Sequence, residues 1–108
     1  MTILSVYAIF ASEDEAERIG RTVIEEKLAA CVNILGPCRS IYRWKGAIET
    51  AEEVAAILKT DGSKVRGLIE RVAALHSYDT PCITAWPVEA VLPRYADWVG
   101  ESLSRIPR

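Results

Sequence analysis

The chain has 108 residues, with 13 basic and 15 acidic side chains and a formal net charge of -2. That length fits one domain spanning residues 1–108, which buries roughly 60–70% of its unfolded surface. The charge balance offers no basic footprint for nucleic acid and no basic patch for an anionic membrane, and the apolar runs are too short to span a bilayer.

Residues 2–11 read as a strand with apolar side chains on both faces: Ile3, Tyr7 and Ile9 on one, Leu4, Val6, Ala8 and Phe10 on the other. Ser12 and Glu15 then have the spacing of a capping box. The helix they open carries Ala16, Ile19, Gly20, Val23, Ile24 and Leu28 along one face. Residues 31–44 form a long strand, with Gly36-Pro37 marking a bulge or bend. Its alternation puts Ser40, Tyr42 and Trp44 on one face and Ile41, Arg43 and Lys45 on the other. Gly46 turns the chain into a partner strand over 47–60. Asp61-Gly62-Ser63 starts a second helix that buries Val65, Leu68, Ile69, Val72 and Leu75. A fourth strand over 80–88 and a helix from Pro93 to Ser104 complete the chain.

This order predicts an α+β fold, a ferredoxin-like βαββαβ sandwich with a long second hairpin and a C-terminal helix. The two helices of that pattern cover one face of the sheet. The other face is apolar too, because the strands carry apolar residues on both alternating sides: Val54, Ala56 and Leu58 against Ala55 and Ile57 in the third, and Cys82, Thr84 and Trp86 against Ile83 and Ala85 in the fourth. An apolar face of that size, left bare, is an association surface, so the chain is expected to oligomerise.

His76 closes the second helix, where a cation meets the negative end of the helix dipole. An imidazole beside a thiol also suits copper or zinc, and Cys82 follows closely on the next strand. Both readings stand on the sequence. Cys31, Cys38 and Cys82 match no zinc or redox motif and are expected to be free thiols in a reducing compartment. Cys31 reads as a small buried hydrophobe, and Cys38 receives no role. The N-terminus lacks a basic region followed by an apolar stretch, which makes the cytoplasm the expected location. Glu13, Asp14, Glu15 and Glu17 compensate a helix dipole, and they would repel the phosphate that an acylphosphatase-type enzyme cradles at that junction. Residues 49–58 are acidic and aliphatic, unlike the aromatic, basic strand of an RNA-binding module. No nucleophile–base pair can be read, so a binding protein is expected rather than an enzyme.

Several runs together carry a family resemblance. They are Leu28-Ala29-Ala30-Cys31-Val32, then Ser40-Ile41-Tyr42-Arg43-Trp44-Lys45-Gly46, then the Glu- and Val-bearing strand ending in Lys59-Thr60. Leu75-His76-Ser77-Tyr78-Asp79-Thr80-Pro81 and Tyr95-Ala96-Asp97-Trp98 follow in order. The chain resembles the divalent-cation-tolerance CutA family over nearly its whole length. The resemblance implies a homotrimer whose sheets pack around a threefold axis, with the architecture of PII-type signalling proteins. It implies a role in divalent-metal tolerance, with copper or another divalent cation as the bound species. It also implies a cleft between subunits at Tyr42, Trp44, Glu53, Lys59 and Tyr78, for a small molecule or a protein partner. Phe10 and Leu75-His76 stand where relatives carry a cysteine and a His-His pair, and Cys82 replaces the usual Glu after the proline. The expected metal ligands are therefore His76 and Cys82, in a weaker variant site. Trp44 is expected to be buried in the hairpin contact.

Overall fold

The computed structural model describes residues 2–104. Its elements are β1 (Ile3–Phe10), α1 (Glu13–Glu25), β2 (Cys31–Trp44), β3 (Ala47–Asp61), α2 (Val65–Leu75), β4 (Ile83–Pro87) and α3 (Pro93–Leu103). The sheet order is β2-β3-β1-β4, antiparallel throughout. This is the expected α+β, ferredoxin-like arrangement with an added C-terminal helix. Among the described residues no helix is long and apolar enough to cross a membrane.

The cap at α1 is richer than its spacing suggests. Ser12 Oγ accepts from the Glu15 N–H at 3.1 Å. The Glu15 carboxylate reaches back to the Ala11 N–H at 2.9 Å, one residue before the N-cap. Its second oxygen accepts the Ser77 N–H at 2.9 Å, which fastens the α1 start to the end of α2. Two element starts differ from expectation. Asp61 stays in β3, and its Oδ1 accepts from the N–H groups of Ser63 and Lys64 at 2.9 and 3.1 Å, so α2 begins only at Val65. β4 begins at Ile83, because Pro81 has no N–H to donate to a ladder.

The main core lies between the sheet and the two longer-range helices. Val6, Ala8, Phe10, Val54, Ala56 and Leu58 pack against Ala16, Ile19, Val23, Leu68 and Val72. A Cβ at Gly20 would meet Val32 Cγ1 at 3.3 Å, so α1 approaches β2 closely there. Ile24 is 41% exposed, contrary to the helical-face reading. The opposite sheet face is not bare over its whole length. Val99 and Leu103 of α3 cover Ile3 and Ala30 at one end.

The long hairpin has two special backbone positions. Gly36 has φ 105°, and the register slips between Ile34 and Gly36, leaving Leu35 as the bulged residue. That extra residue shifts the alternation of β2 by one. Cys38, Ser40, Tyr42 and Trp44 therefore face the same side as Tyr7 and Ile9. At the far end Lys45 and Gly46 both have positive φ, 49° and 82°, and Trp44 pairs with Ala47. That is the signature of a two-residue type I′ hairpin, whose twist matches the strands.

Candidate functional site

Beyond the reach of α3, the second sheet face and the hairpin enclose an open concavity of about 530 Å³. β1 supplies Tyr7 and Ile9, β2 supplies Cys38, Tyr42 and Trp44, and β3 supplies Glu53. The loop between α2 and β4 closes one side with Tyr78, Asp79 and Cys82. The bulge decides the composition of this wall. Without its one-residue shift, Pro37, Ile41 and Arg43 would face the concavity in place of Cys38, Tyr42 and Trp44.

Hydrogen bonds fix part of the lining. The Tyr78 hydroxyl donates to Glu53 Oε2 at 2.6 Å, and Glu53 is only 9% exposed. Burial raises the Tyr78 phenol well above its ordinary value, and the bond to the Glu53 carboxylate raises it further. Burial likewise raises the Tyr7 phenol, helped by the Cys38 and Cys82 sulfurs and by Glu53. Both rings are thus neutral phenols at physiological pH. Tyr42 and Trp44 remain about half exposed, at 43% and 48%.

A backbone network holds the Tyr78 loop in place. His76 is buried, stacks on Phe10 with ring centroids 5.2 Å apart, and has Nε2 2.7 Å from the Ile9 carbonyl. Its Nδ1 accepts the Tyr78 N–H at 3.0 Å. The two contacts together require the neutral ring with its proton on Nε2. Glu15 Oε1 lies 3.8 Å from Nε2. Burial alone would raise the Glu15 carboxyl. The hydrogen bonds from Ser77 and Ala11 outweigh it and hold the group below its ordinary value of 4.5.

Four of the residues singled out from the sequence, Tyr42, Trp44, Glu53 and Tyr78, meet in this concavity. Lys59 does not. It faces the same side, but it pairs with Cys31 and Ser5, whereas Glu53 pairs with Cys38. At roughly 3.3 Å per residue, that separates Lys59 from Glu53 by roughly 20 Å along β3. Cys31 is half-buried against the Tyr95 hydroxyl at 3.3 Å. Tyr7, Ile9 and Cys38 were not singled out as lining residues: Cys38 shares the alternation of Ser40, Tyr42 and Trp44, but which face of β1 joins that set depends on the register across the bulge.

Sequence comparison assigns the chain. The family described as CutA1 divalent ion tolerance protein matches residues 4–102. The chain belongs to the CutA family. A protein of Archaeoglobus fulgidus named divalent-cation tolerance protein CutA is 46% identical over 98 residues, 91% of this chain and 95% of the relative. One of the same name from Thermotoga maritima is 43% identical, covering 94% and 99%. The CutA1 crystal structure from Oryza sativa superposes with a TM-score of 0.93 at 34% identity, covering 98% of this chain and 97% of that one. The Archaeoglobus fulgidus structure, described as a periplasmic divalent cation tolerance protein, gives 0.91 at 44% identity, covering 94% and 99%.

The metal ligands expected from the CutA resemblance are held apart by this geometry. Both His76 nitrogens are engaged by backbone partners: Nε2 carries the proton, and the Nδ1 lone pair is taken by the Tyr78 N–H, so none is presented to a cation. His76 packs beside Phe10 on the helix-facing side, and Cys82 opens into the concavity on the other. Among the described residues no group of three or more His, Cys, Asp and Glu side chains is arranged to hold a metal ion. Within a single chain the donor set does not fit a resident metal.

Proposed function

We propose that this CutA-family chain is a homotrimeric binding protein, not an enzyme, that serves tolerance to divalent cations, copper among them. Its working site is the concavity on the open sheet face, completed by neighbouring subunits. The observation that carries this reading is the convergence of Tyr42, Trp44, Glu53 and Tyr78 there. The surrounding face keeps Trp86 and Trp44 45% and 48% exposed, which is the apolar area that self-association would bury. The names of the relatives support the tolerance role. The cation is then the species being responded to rather than a resident cofactor. Three free cysteines suit a reducing, cytoplasmic setting.

The same concavity supports a second reading, a PII-like signalling or scaffold trimer that holds a small molecule or a protein partner between subunits. Sedimentation equilibrium at micromolar concentration tests the assembly, and a stable monomer overturns it. Copper and nucleotide titrations of the purified protein separate the two readings. A His76→Ala, Cys82→Ser variant tests those two residues as ligands. Copper can use His76 only by opening its bond to the Ile9 carbonyl or to the Tyr78 N–H. Equal copper binding by wild type and variant removes the pair from the site.

A further inference from the structure

Residues 76–82, between α2 and β4, are clamped at both ends on one residue of β1. The Ile9 N–H donates to the Cys82 carbonyl at 3.1 Å, and the Ile9 carbonyl takes His76 Nε2 at 2.7 Å. The β1–β4 register ends one pair earlier, at Ala8 and Ile83. The imidazole N–H thus satisfies a strand carbonyl just past the end of the ladder, where an unpaired buried acceptor would be costly.

Inside the loop, Glu15 Oε2 accepts the Ser77 N–H at 2.9 Å, and His76 Nδ1 accepts the Tyr78 N–H at 3.0 Å. The His76 ring also packs on Tyr78, with centroids 4.8 Å apart, as it does on Phe10. Tyr78 then reaches the open face, where its hydroxyl meets Glu53. A proton on Nδ1 would set two donors against each other at Tyr78 and turn the Nε2 lone pair on the Ile9 carbonyl. His76 and Glu15 are 9% and 6% exposed, and every contact named lies within one chain. The arrangement therefore stands whether or not neighbouring copies cover the open face.

We propose that His76 is a positioning residue rather than a metal ligand: in its Nε2–H tautomer it pivots the loop so that Tyr78 meets Glu53. The ring on the helix-facing side of the sheet thereby sets the shape of the opposite, open face. Glu15 secures Ser77, whereas the Tyr78 N–H has His76 as its acceptor. The bearing of this pivot on function rests on the open face being the working face, and its geometry does not.

The test is nuclear magnetic resonance of the isotope-labelled full chain, with two replacements that divide the roles of the ring. His76→Asn sets an amide oxygen near the position of Nδ1, and His76→Gln sets an amide N–H near that of Nε2. In the wild type at neutral pH the ring should show a protonated Nε2 and a bare Nδ1, a signature that needs no variant to fold. Measured against the Val6 amide in the core of β1, His76→Gln should speed exchange of the Tyr78 amide about tenfold. His76→Asn should keep that exchange close to wild type. In urea unfolding, Tyr78→Phe should lose much less stability in the His76→Gln background than in the wild type. A charged ring, or a proton on Nδ1, overturns the pivot, and so do strictly additive losses. Equal acceleration by Asn and Gln assigns the loop to ring packing and overturns it as well, as does no acceleration by Gln. None of these readouts uses copper or the oligomeric state. A monomer that binds no copper yet shows the coupling loses the proposed function and keeps the pivot. A copper-binding trimer with additive losses does the reverse.

Discussion

The Tyr78 hydroxyl donates to Glu53 Oε2 at 2.6 Å, joining the loop after α2 to the middle of β3. Both partners line the concavity, so this bond couples stability to the shape of the site. Tyr78→Phe keeps the ring and removes the donor. It leaves a carboxylate that is 9% exposed without its partner. The expected loss is about 1.5–3 kcal/mol in denaturant unfolding, the range for a hydrogen bond to a charged group. Glu53→Gln keeps an acceptor and should cost less, about 1 kcal/mol. A Tyr78→Phe protein with an unchanged unfolding midpoint would show that the bond does not form in solution.

Glu15 makes stability depend on acidity in a defined direction. Its folded-state pKa lies below the ordinary value of 4.5, so the unfolded chain binds the proton more readily. The stabilisation is therefore complete above the unfolded value and is lost as pH falls through the lower folded value. Glu15→Gln should be less stable than wild type at neutral pH, and the gap should narrow steadily below pH ~4.5. Urea unfolding of both proteins from neutral to acid pH measures it. A gap that stays constant on acidification would assign the role of Glu15 to packing, not charge.

The element order could be read from periodicity because each buried face needs apolar residues at the spacing of its element. The Ser12–Glu15 cap was legible for the same local reason, and so was a bulge, expected at Gly36-Pro37 and found one residue earlier at Leu35. What alternation cannot supply is position along a strand. Lys59 and Glu53 share a face by parity, yet the register puts one beside Cys31 and the other beside Cys38. Parity itself fails across a bulge, so the face that Cys38, Tyr42 and Trp44 share with Tyr7 and Ile9 could not be read from alternation alone. His76 was open to two readings because its partners are backbone groups of Ile9 and Tyr78, and backbone partners leave no trace in residue identity.

Lys27 ends α1 in the left-handed conformation, with φ 59°. The Leu28 N–H bonds the Val23 carbonyl at 2.9 Å, and the Lys27 N–H bonds the Ile24 carbonyl at 3.0 Å. This is the Schellman closure, in which glycine is the preferred residue. A side chain there costs about 1 kcal/mol. Against this, Lys27 Nζ donates to the Ser104 carbonyl at 3.0 Å in an exposed position, a bond contributing about 0.5 kcal/mol. Lys27→Gly should therefore stabilise by about 0.5 kcal/mol and raise the melting temperature by roughly 2–4 °C. A lower melting temperature would mean that the Ser104 contact outweighs the backbone strain.

Trp44 separates what one chain stabilises from what assembly adds. The sequence places it in the hairpin contact, where full burial would make Trp44→Ala cost about 3–5 kcal/mol. In the single chain it is 48% exposed, next to the turn and at the rim of the concavity. Half-burial lowers the cost to about 1–2 kcal/mol. Any larger loss has to come from contact with another subunit, and such a loss depends on protein concentration by mass action. Thermal melts of wild type and Trp44→Ala over a hundredfold concentration range distinguish the two. A trimer that seats Trp44 in its interface predicts a deficit that grows on dilution. A small deficit that is the same at every concentration would leave Trp44 exposed in the assembled protein, and its exposed half would then be free to meet a ligand.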